Sequence, residues 1–308
     1  MQFLNNFYTV FVQVLILFIF MGFGFVGEKK KLISTEGSKV ISDIILYFVT
    51  PCLIINSLNI KFDSDKLSGL LVCLVAFFVI QIASVLLVCL LFRKDHISTR
   101  VLRFAVVFSN VGYMGLPLQK AVLGDEGVFY GSVCVAAFNV FVWTYGIICM
   151  SGDKKQMSVK KLILNPGIIA VTIGIVLFLF SLKLPLPISS AIGSMASLNT
   201  PLAMMVIGFN LARSNLLSAL KDKRVYLVSF LRLVLVPIVS LFVLWALGLR
   251  GTLLVSVIIA TSAPVAAATT VFSVKYGADT ELSVKLVAFT TLLSIFTMSA
   301  IVALAQLF

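Results

Sequence analysis

Stretches of about twenty predominantly apolar residues, each long enough to cross a bilayer as a helix, follow one another along the whole chain. The pattern predicts ten spans, at 7–26, 40–59, 68–92, 102–121, 127–149, 165–182, 188–212, 225–248, 252–272 and 284–307. The connecting segments are short and polar, which leaves no room for a soluble catalytic domain. The opening stretch, MQFLNNFYTVFVQVLILFIFMGFGFV, has no basic leader and no small-residue cleavage site, so it reads as a retained transmembrane helix.

Composition agrees with this pattern. Of 308 residues 60% are hydrophobic and 12% charged, and the mean hydropathy is +1.13. A soluble domain is closer to half apolar and a quarter charged. The five cysteines lie in or beside apolar segments without a CxxC pair, which predicts inert, buried thiols. The single histidine, His96, stands in a basic loop, so no metal site or His-based triad is expected, and no cofactor.

The net charge of +12 could point to nucleic acid, but its distribution points to a membrane. Eighteen of the 24 basic residues fall in the odd-numbered connections: Lys29, Lys30, Lys31, Lys39; Arg93, Lys94, Arg100, Arg103; Lys154, Lys155, Lys160, Lys161; Arg213, Lys221, Lys223, Arg224; Lys275, Lys285. The positive-inside rule then places those loops in the cytoplasm and both termini outside the cell membrane. The charge is a topology signature with some attraction to anionic lipid of the bilayer. No nucleic-acid partner is expected.

The longest connection divides the chain into a first five-helix unit, 1–150, a cytoplasmic linker, 151–164, and a second unit, 165–308. An odd number of spans per unit forces the two to enter the membrane from opposite sides, the geometry of an inverted repeat. Thr50-Pro51 in span two and Thr200-Pro201 in span seven fall at matching places. So do two interrupted spans: four, with SNVGYMGLPL at 109–118, and nine, with SAPVAAATTVF around Pro264. Pro117 has no N–H and its ring crowds the carbonyl of Tyr113, so the helix is expected to open there. An opened helix within hydrocarbon is tolerated only against protein or a watery cavity, and paired interruptions point to a transporter binding site.

Few ionisable residues fall inside the spans. Asp43 reads as an acid in the first turn of span two, favoured there by the helix dipole, with a proton-coupling role as the alternative. Arg232, two turns into span eight, either snorkels to the interface or serves as a substrate counter-charge. Asn110 at the interruption and Asn139 near the middle of span five must either tie down backbone or bind solute, because a buried amide needs partners. Half-helices starting near the midplane would aim free N–H groups and partial positive charge at a small anion. Gln81, Ser84, Ser262 and Thr269 are weaker candidates. GFGFVG at 22–27 ends a span and enters a lysine-rich loop, so it is no dinucleotide fingerprint.

The chain resembles the auxin efflux carrier family, which includes plant PIN auxin exporters and bacterial permeases assigned to malate or malonate. The likeness runs through SDIILYFVTPCLIINSL, SNVGYMGLPL, FNVFVWT and the long run SAPVAAATTVFSVKYGADTELSVKLVAFTTLLSI. The resemblance implies an all-α membrane protein of ten transmembrane helices in two inverted repeats, with spans four and nine crossing at prolines. It implies a scaffold of spans one, two, six and seven, dimerising through two and seven, and a transport domain of spans three to five and eight to ten that moves as an elevator. The substrate site it implies comprises Asn110, Val111, Gly112 and Pro117, Asn139, and Ala263, Pro264 and Val265. The substrate class it implies is a small organic anion. The short central connection departs from the long plant carriers, and span three lacks a mid-span acid for proton coupling. A sodium-coupled symporter of the bile-acid type and a membrane ligand sensor are the alternative readings. Transport without enzyme chemistry is expected.

Overall fold

The computed structural model describes residues 1–157 and 159–308 and is helical almost throughout. In chain order the main helices are α1 (Gln2–Lys29), α2 (Thr35–Leu58), α3 (Ser64–Leu91), α4 (Ile97–Val107), α5 (111–123) and α6 (125–151). After the connection come α7 (Pro166–Leu179), α8 (Leu186–Arg213), α9 (Lys223–Ala246), α10 (Gly251–Ser262), α11 (Ala268–Tyr276) and α12 (Thr280–Ala305). Short helices at Lys154–Gln156, Val159–Ile163 and Leu216–Leu220 sit in the connections.

Among the described residues seven helical stretches are long and apolar enough to cross a membrane, and two shorter ones, α7 and α10, are apolar. One of the seven, Val111–Ser151, has 41 residues, about twice what a bilayer core requires. It is two helices. Gly124 takes φ 67°, ψ −148°, a conformation open only to glycine, and the chain folds back there. Gly127 and Gly131 consequently lie against Gln119, where a β-carbon would sit 2.6 Å or less from its atoms. Gly277, with φ 66°, makes the equivalent turn between α11 and α12.

Helix starts follow local chemistry. Asp63 accepts from the N–H groups of Asp65 and Lys66, Asn165 from Gly167 and Ile168, and Asp279 from Leu282, each supplying an acceptor that the first turn lacks. At the polar end of α12, Asp279 also accepts from Ser98 Oγ at 2.7 Å, joining α4 to α12. Nearby, the Arg224 guanidinium holds the Asp222 carboxyl below the usual carboxylate range.

Prolines inside helices are absorbed in a repeated way. Pro51, Pro117 and Pro237 each follow a widened π turn, at Ile45–Val49, Val111–Gly115 and Leu231–Leu235. In all three the residue before the proline donates across five residues, Thr50 to Ile45, Leu116 to Val111 and Val236 to Leu231. The wider turn accommodates the ring that would crowd the carbonyl four residues back. This corrects two expectations. The helix does not part at Pro117, and Asp43 stands exposed well inside α2, whose N-cap is Ser34, rather than in a first turn.

Large apolar side chains cover the outside of the bundle, among them Phe48, Val75, Leu86 and Phe230, each more than half exposed. Inside, α1 and α8 approach closely through Gly24 and Gly208, where a β-carbon would meet the carbonyl oxygens of Met205 and Met21 at 1.9 Å. Helix α2 packs on α7 through Leu58 and Gly174, and on α8 through a bond from Thr50 Oγ1 to Asn199 Oδ1 of 3.0 Å. The five cysteines are free, with Cys73, Cys134 and Cys149 buried. Gly24→Ala or Gly208→Ala should cost about 1–3 kcal/mol by forcing the backbones apart, seen as a lower melting midpoint of the purified protein. Gly22→Ala, whose methyl meets open space, should leave that midpoint unchanged.

Candidate functional site

Two helices are interrupted, and the interruptions lie against each other. Helix α4 ends at Val107, Phe108 is extended, and at Asn110 (φ −78°, ψ 55°) the chain turns into α5, with Val111 N–H donating to Ser109 O at 2.8 Å. Helix α10 ends at Ser262, and residues 263–267 lead to α11. At the second break the cause is local. Pro264 excludes the residue before it from helical geometry, and Ala263 is extended at φ −60°, ψ 148°. At the first break no proline intervenes; the segment is held from outside.

The two segments pair as a short antiparallel bridge centred on Ser109 and Val265. Asn110 N–H donates to Pro264 O at 2.7 Å, and Ala266 N–H to Phe108 O at 2.9 Å. Val265 N–H donates to Thr290 Oγ1 of α12 at 3.2 Å. Three of the backbone N–H groups at the breaks, those of Asn110, Val265 and Ala266, are thus satisfied from outside their own segments.

The carbonyls are met by Arg232. Its guanidinium donates to Val106 O at 3.0 Å, Val107 O at 3.4 Å and Ala263 O at 3.3 Å, and also to Thr261 O. The residue is 1% exposed. It does not snorkel, and its donors face the carbonyl ends of α4 and α10.

On the other side of the bridge lie the starts of α5 and α11. Among the described residues the N–H groups of Gly112, Tyr113, Ala267 and Ala268 have no backbone acceptor. A β-carbon on Gly112 would meet open space, and Asn110, 6% exposed, does not cap the helix it precedes. Among the described residues the buried hydroxyls of Ser109 and Thr269 have no hydrogen-bond partner.

Of the residues singled out in the sequence, Asn110, Val111, Gly112, Ala263, Pro264 and Val265 are brought together here. Pro117 is buried in α5 beyond the π turn, away from the bridge. Asn139 is half-buried in α6, back-bonded through Nδ2 to Val135 O at 2.9 Å. It faces the start of α7, since a β-carbon on Gly167 would lie 3.0 Å from its Nδ2. Its neighbour Phe138 packs edge-on against Phe108 at 5.7 Å, which brings this part of α6 to the break. Thr290 was not apparent in the sequence, where it is one hydroxyl in AFTTLLSIFT; only its contact with Val265 distinguishes it.

Interrupted helices that satisfy each other within an apolar bundle fit the class of multi-pass membrane transporters. The sequence pattern of the family described as "Membrane transport protein" matches residues 9–160 and again 153–302. The chain belongs to this family, that of the auxin efflux carriers, and the match shows two repeats within it. It is 25% identical over 297 residues to an uncharacterized transporter of Methanothermobacter thermautotrophicus, covering 93% of each chain. An uncharacterized transporter of Methanocaldococcus jannaschii is 23% identical, over 89% of this chain and 91% of its own. A protein of Rhizobium meliloti named "Putative malonate transporter" is 25% identical, over 70% and 71%. These names point to transport rather than to an enzyme.

Thr290→Val should leave Val265 N–H without an acceptor and cost about 1–3 kcal/mol, read as a lower melting midpoint. Thr290→Ser should restore most of it.

Proposed function

We propose that this transporter carries a small organic anion, a carboxylate or dicarboxylate, by secondary transport at the crossing of the two interrupted helices. The observation that carries the reading is the set of unpaired N–H groups at the starts of α5 and α11, on the side of the bridge away from Arg232. Helix N-termini favour negative charge and present backbone donors to it without any fixed cationic side chain. The name of the Rhizobium relative makes malonate the natural first solute to try.

The same reading takes α1–α12 as ten crossings in two inverted repeats, with α4–α5 and α10–α11 as the interrupted pair. An antiparallel bridge between the breaks suits two units related by a two-fold axis in the membrane plane. Helices α1, α2, α7 and α8, joined by the glycine contacts and the Thr50–Asn199 bond, form the scaffold and the homodimer contact through α2 and α8. The remaining helices move as an elevator. With the basic loops in the cytoplasm, the same reading has both termini outside the cell membrane. Asn110 touches the solute and Asn139 lines its path where α6 meets α7.

Purified protein in liposomes should accumulate labelled malonate, with the sodium and proton gradients varied separately to identify the coupling ion. Asn110→Ala should reduce uptake by about tenfold, the loss expected for one hydrogen bond to a charged solute. Asn139→Ala should also lower it, with melting midpoints unchanged in both. Normal uptake in both variants would show the site assignment to be wrong. Binding without flux in the parent protein would favour a ligand sensor.

A further inference from the structure

We propose that Arg232 is the positioning residue of the crossing. One guanidinium caps the carbonyl ends of both α4 and α10, sets the register of the two breaks, and cancels the negative ends of those helices.

A buried arginine at membrane depth is costly unless something offsets its charge. Among the described residues Arg232 has carbonyl partners and no carboxylate partner. Each helix C-terminus carries roughly half a negative elementary charge. Two of them meet here, so their sum is close to the single positive charge of the guanidinium. The solute then meets the positive starts of α5 and α11 without an opposing field from the ends of α4 and α10.

The same four bonds fix geometry. Val106 and Val107 lead directly into Phe108–Asn110, and Thr261 and Ala263 flank the start of the second break. Holding both pairs on one planar group sets where Ser109 meets Val265. Arginine has five N–H donors in a rigid fork, whereas lysine has three on a flexible stem. Lysine would keep the charge and could not satisfy all four carbonyls. Arg232 itself lies in the π turn that precedes Pro237.

The transport arm of the test rests on the reading of the crossing as an anion site; a second arm does not. In a background without the native cysteines, Ser109→Cys with Val265→Cys should oxidise readily, because bridged antiparallel residues lie within disulfide range. Adding Arg232→Gln should slow that cross-link by about tenfold and raise the malonate KM by about tenfold, as for a broken set of charged hydrogen bonds. Arg232→Lys should return KM to near the parent value while the cross-link stays slow. If the Gln variant does not fold, the Lys variant decides on the same two readouts. Parent rates of cross-linking and parent KM in the Gln variant would overturn the proposal. So would a folded Lys variant with a KM as high as that of the Gln variant, or with parent cross-linking. A parent protein that moves no malonate would sink the anion reading, and the cross-link arm would still judge Arg232.

Discussion

An interrupted helix in the interior of a membrane protein leaves N–H and C=O groups that water cannot reach, and each unsatisfied group is costly. Here two interruptions meet part of those demands together. Phe108–Asn110 and the segment after Ser262 exchange backbone bonds, Thr290 takes one N–H, and Arg232 takes the carbonyls. No break is satisfied by its own chain alone. The crossing is therefore a single unit, and whatever binds beside it binds to two repeats at once.

Helix direction gives this unit its polarity. Carbonyl ends gather around Arg232, and N–H ends open towards Asn110 and Gly112. The separation follows from the antiparallel passage of the two segments and needs no cluster of charged side chains. A solute with negative charge is favoured on one side only. The π turns before Pro51, Pro117 and Pro237 serve a different end, letting proline remain inside a continuous helix.

The helical, multi-pass character was legible in the sequence because the length of an apolar stretch reports directly on the bilayer. Pro264 was also legible, since proline constrains its predecessor and ends α10 locally. Pro117 was misleading. A proline predicts a local disturbance, but a π turn can absorb it, and at that position it does. The true first break, at Phe108–Asn110, carries no local breaker and is held by partners more than a hundred residues away. Arg232 stood out as a charge at depth, yet its purpose depended on knowing which carbonyls would be bare. Thr290 was hidden among ordinary helix hydroxyls, which usually bond within their own helix.

On the proposed function the solute occupies the space at the start of α5, beside the bridge. Gly112 borders that space, and a side chain there meets nothing, so Gly112→Cys in a cysteine-free background reports on it directly. Malonate should slow labelling of this cysteine by a soluble thiol reagent, with half-protection at the concentration that half-saturates uptake. Unchanged labelling at saturating malonate, in a variant that still transports it, would contradict the account.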